Sequence, residues 1–68
     1  MNDAEKQRFL ASLERDLPKM RAKLEKLKKE MRGLEGDDKI AKGREAVQVK
    51  LEIDGMASTI KQLKKELR

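Results

Sequence analysis

The amino-acid sequence predicts an all-α protein: an antiparallel, coiled-coil-like two-helix hairpin that dimerises into a four-helix bundle. Three observations carry this. Leu10, Leu13, Leu17, Met20, Leu24, Leu27, Met31 and Leu34 recur at alternating steps of three and four residues. That is the a/d spacing of a heptad, which keeps one apolar seam along a helix. Ala46, Val49, Ile53, Met56, Ile60, Leu63 and Leu67 repeat the same rhythm. The two rows also mirror each other, since the residue numbers total 73 in Leu10 with Leu63, Leu13 with Ile60, Leu17 with Met56, Met20 with Ile53, Leu24 with Val49 and Leu27 with Ala46. A constant total is the mark of an antiparallel hairpin, and its midpoint falls between Gly36 and Asp37.

The first helix is expected over about 3–33. Asn2 or Asp3 is placed to cap its free amides, and Glu5 is an acid near the positive end of its dipole. Pro18 lies inside this span. It removes one backbone donor and favours a kink. The alternative is a helix that begins near Asp16 with Pro18 in its first turn, preceded by a separate short helix over 1–15. The turn is expected over 33–38, GLEGDD. Gly33 or Gly36 suits the left-handed conformation that ends a helix. Asp37 or Asp38 suits the cap of the next one.

The second helix is expected over about 38–67, and residues 1–68 are read as a single helical hairpin domain. One stretch resists this reading. AVQVKLEI, residues 46–53, alternates apolar and polar residues as a strand does, and its β-branched residues suit a strand. Yet no other segment of the chain offers a partner strand, and an isolated two-stranded ribbon between two copies is marginal. The heptad register favours helix. Gly55 falls on the level of Pro18, so a shared bend or soft point is expected there.

Composition limits the chemistry. The 68 residues contain no cysteine and no histidine, so disulfides and the usual zinc and haem ligand sets are excluded. A chain this short is marginal alone and usually needs a partner chain for support. No tyrosine is present either, and Ser12, Ser58 and Thr59 have no identifiable base beside them. The carboxylates sit among lysines at helical spacing, Glu25 and Lys29 for example, which is how a solvated helix is decorated. No enzyme activity, cofactor, metal or small-molecule substrate is expected. No apolar run reaches the roughly 18 residues of a membrane span, and MNDAEKQRFL lacks the pattern of a secretory signal. A cytoplasmic protein without membrane contact is expected.

Two surfaces remain as candidate sites. On a helix, Ile40, Val47 and Leu51 fall roughly opposite the core seam, rimmed by Arg44, Gln48 and Lys50. They form a second apolar face with no partner inside the hairpin. The expected function is therefore non-enzymatic: a small adaptor that docks this face on its own copy or on a helical or grooved protein. The alternative is a regulator that binds RNA or DNA. Arg8, Arg15, Lys19, Lys26, Lys29 and Arg32 line the outer face of the first helix with Glu25 as its one acid, which matches the net charge of +5. A basic stripe of this kind is the electrostatic footprint of phosphate binding. Against it, the single aromatic, Phe9, offers no platform for stacking bases.

Overall fold

The side chain of Asn2 accepts a hydrogen bond from the Glu5 amide at 2.8 Å and so satisfies one of the donors that every helix leaves free at its start. From that cap, in a computed structural model that describes residues 2–67, helix α1 runs over Asp3–Arg32 and helix α2 over Gly36–Glu66. They pack against each other as a hairpin 48 Å long and 14 Å across. The length is close to the roughly 45 Å expected of 30 residues in one straight helix.

α1 continues through Pro18 without interruption, so there is no separate helix over 1–15. The extended pattern of AVQVKLEI is also overruled: 46–53 is helical throughout. The reason is burial. Val49 is 3% exposed and Ile53 8%, whereas Val47 and Leu51 are each 60% exposed. Residues two apart share a face on a strand but lie on nearly opposite faces of a helix, so only a helix can bury one pair and expose the other.

The core is the double heptad row. Leu27, Val49 and Ile53 form a buried cluster, with Leu17, Met20, Leu24 and Ala46 packed on its edges, and Leu63 is buried nearer the free ends. Charged pairs cross the seam. Lys6 Nζ lies 3.5 Å from Glu66 Oε2 and Lys42 Nζ 2.9 Å from Glu30 Oε2, and in both pairs the numbers total 72. A third pair, Lys64 Nζ with Glu14 Oε2 at 3.8 Å, totals 78 and reaches further along the seam, so the charged pairs give the antiparallel sense while the residue-level register of 73 comes from the apolar rows.

The turn differs from expectation. It occupies only Gly33, Leu34 and Glu35, and α2 starts two residues earlier than the turn chemistry suggested. Gly33 is not left-handed, with φ −94°. Its amide donates to the Glu30 carbonyl at 3.3 Å, and the Leu34 amide donates to the Met31 carbonyl at 3.1 Å. These three-residue bonds tighten the last turn of α1. The left-handed residue is Gly36, φ +65°, a conformation that costs other residues about 1–2 kcal/mol. Glu35 occupies the cap position without a side-chain hydrogen bond. Asp37 and Asp38 therefore fall inside the first turn of α2. There they oppose the positive end of the helix dipole instead of capping it.

The Glu30–Lys42 pair couples the turn end of the hairpin to pH. Its hydrogen bond to Lys42 lowers the Glu30 carboxyl from the ordinary 4.5, and the same bond raises Lys42 from the ordinary 10.5. A lowered carboxyl stabilises the fold above its unfolded value, and that contribution disappears as pH falls through the folded value. A raised amine stabilises the fold below its unfolded value, and that contribution disappears as pH rises through the folded one. Glu30→Gln should therefore melt at lower temperature than the parent between about pH 5 and 10, and the two curves should converge in strong acid. Thermal melts across pH would test this. A gap that persists in strong acid would mean the pair is not its cause.

Candidate functional site: an apolar groove with a basic rim

The turn half of the hairpin carries a groove of about 650 Å³, lined by Leu24, Lys28 and Met31 from α1 and by Ile40, Gly43, Arg44, Ala46, Val47 and Lys50 from α2. Three features of the sequence make it. At Gly43 there is no side chain, and a Cβ built there would come to 3.6 Å from the Met31 Cε. The missing group leaves a hollow where the two helices approach. Leu24 and Met31 belong to the core row of α1 but stay only half-buried, so they floor the hollow. Ile40 and Val47, 56% and 60% exposed, form its far wall. They are seven residues apart, two helical turns, or about 10 Å along the axis.

The rim is cationic. Lys28, Arg44 and Lys50 surround the apolar floor. Lys28 reaches Glu25 at 3.6 Å with both side chains more than half exposed, a solvated contact of small value. Among the described residues, Arg44 and Lys50 take part in no ion pair. The positions three and four residues from Arg44 hold Ile40, Ala41, Val47 and Gln48, so no acid stands at the spacing of a helical ion pair.

Of the face expected from sequence, Ile40 and Val47 line this groove, while Leu51 continues the apolar line one turn beyond it, exposed at 60%. Arg44 and Lys50 are rim residues as expected; Gln48 is not among the lining residues. Sequence reasoning missed Leu24, Met31, Gly43 and Lys28. The mirrored numbering sets Gly43 level with Glu30, next to Met31, but the hollow itself appears only once the two helices are packed.

The other candidate surface is spread out. Arg8, Arg15, Lys19, Lys26, Lys29 and Arg32 are all exposed on α1. Arg15 Nε lies 3.4 Å from Asp16 Oδ1, and Lys19 lines a shallow cleft with Asp16, Met20, Glu52 and Met56. Glu25 pairs with Lys28 and not with Lys29, its helical neighbour in the sequence reading. The six cations form a line about 36 Å long from Arg8 to Arg32.

Among the described residues no helix is long and apolar enough to cross a membrane. Comparison with protein-family models, with curated proteins and with solved structures finds no match.

Proposed function

We propose that this chain is a small non-enzymatic interaction protein whose working surface is the apolar line Ile40, Val47 and Leu51 with the groove beside it. The observation that carries the reading is the exposure of three large aliphatic side chains in line on one helix, 56–60% each, next to a hollow floored by core residues. Isolated exposed aliphatics are ordinary; an aligned set beside a cleft is the usual mark of a protein–protein contact. A helix laid along it would gain the burial that a two-helix hairpin lacks. Supplied by a second copy, that helix gives the dimeric four-helix bundle; supplied by another protein, it makes this chain an adaptor.

Sedimentation equilibrium over a wide concentration range tests the first case. If a second copy fills the groove, a dimer appears at twice 7.9 kDa, and Val47→Glu with Leu51→Glu returns it to a folded monomer. Two large apolar contacts at an interface centre are worth about 2 kcal/mol or more each, so the double change should raise the dissociation constant at least several hundred-fold. If the double variant assembled like the parent, this face would not be the contact.

A second reading rests on α1. Its six outer cations are exposed, and only Arg15 is engaged in an ion pair among the described residues. A row of free cations is what a phosphate backbone requires. Charge reversal at Arg15, Lys19, Lys26 and Lys29 should then abolish binding of a labelled RNA or DNA duplex and leave helical content and mass unchanged. Unchanged binding would remove this reading.

A further inference from the structure

We infer that the groove between α1 and α2 receives an amphipathic helix of a partner protein, with acidic residues flanking its apolar stripe. The inference rests on the interaction role proposed above and names the chemistry of the occupant.

The floor specifies an apolar stripe. Leu24, Met31, Ile40 and Val47 are supplied by two helices around the gap at Gly43. A guest helix seated there contacts both α1 and α2 and becomes the third helix of a bundle. The two-turn span from Ile40 to Val47 matches apolar side chains at positions i, i+3 or i+4, and i+7 of such a guest. The half-buried Met31 side chain is unbranched and adapts to the shape it meets.

The rim specifies the charge. Lys28 is carried by α1, and Arg44 and Lys50 by α2. A guest with Glu or Asp on both flanks of its apolar stripe would meet a cation from each helix. The same rim argues against a second copy in this position. In a two-fold dimer the same patch faces itself, so three cations would meet three cations, between chains that each carry a net charge of +5. Like charges across an interface disfavour the pairing.

Three synthetic helical peptides would serve as probes. They share one leucine stripe and differ only in the flanking positions, all Glu, all Gln or all Lys. Binding to the full chain is followed by fluorescence anisotropy. The Glu peptide should bind about ten-fold more tightly than the Gln peptide, the sum of three solvated ion pairs, and the Lys peptide more weakly than both. The advantage should shrink as salt is raised. Lys28→Glu with Arg44→Glu and Lys50→Glu should reverse the order of the peptides, and Val47→Glu should weaken all three. Equal binding of the Glu and Lys peptides overturns the inference, as does binding of none. The fate of the interaction role is read separately. A dimer that Val47→Glu with Leu51→Glu dissociates, in a chain that ignores all three peptides, makes the occupant a second copy and keeps that role. A monomer that ignores all three peptides and is unaffected by the apolar changes removes both.

Discussion

Val49→Asp should abolish the helical signal of the chain, while Val47→Asp, two residues earlier, should leave most of it. Val49 is 3% exposed and packs in the central cluster with Leu27 and Ile53. A carboxylate there loses its water, with Leu, Met and Ile side chains as its surroundings. An ion stripped of water without a partner costs several kcal/mol, and the net stability of a domain this small is itself only about 3–5 kcal/mol. The balance therefore turns to unfolding at neutral pH. Val47 is 60% exposed, and a charge at such a site usually changes stability by no more than about 0.5 kcal/mol. Circular dichroism through a urea titration would measure both. The difference between the two variants should be several kcal/mol. It also tests the backbone of 46–53 directly, because on a strand Val47 and Val49 would share one face and respond alike. Acid should partly rescue Val49→Asp, since protonation removes the buried charge.

The contrast between these two valines shows what could be read from sequence. Local alternation in AVQVKLEI points to a strand; the longer heptad row points to a helix. The longer row wins because burial is decided over the whole length of the hairpin, with Val49 and Ile53 meeting the seam of α1. The turn was less legible. Two aspartates invite assignment as caps, yet a left-handed Gly36 lets α2 begin before them. Cap chemistry is a choice among neighbouring residues, and a backbone conformation settles it. The groove was half legible for a different reason. Ile40 and Val47 follow from the helical period of α2 alone. Its floor needs two helices placed together and one side chain missing, at Gly43, and a one-dimensional pattern does not carry that combination.

Pro18→Ala should stabilise the hairpin, and by more than any other single change on the surface. Pro18 is the sixteenth residue of a 30-residue helix, where proline has no amide to offer the Glu14 carbonyl and crowds it sterically. Relative to alanine the cost is on the order of 3 kcal/mol. Its side chain is exposed, so replacement removes little packing. At the same level by the mirrored numbering, α2 carries a second weakness. Gly55 lies inside the helix with open space around any Cβ added to it, and Gly55→Ala should add about 1 kcal/mol. The Thr59 hydroxyl donates to the Gly55 carbonyl at 2.9 Å, a back-bond that tends to bend helices. The mirrored numbering sets these two positions at one level, and both helices run unbroken through it. Urea midpoints should rise for each variant at unchanged m-value. Amides on either side of this level should exchange faster than those around Leu27 and Val49, and the two replacements together should remove the difference. A neutral Pro18→Ala would mean that α1 accommodates the ring at this position without net cost. A gain near the full value would locate a soft level midway along the hairpin, away from the groove at its turn end.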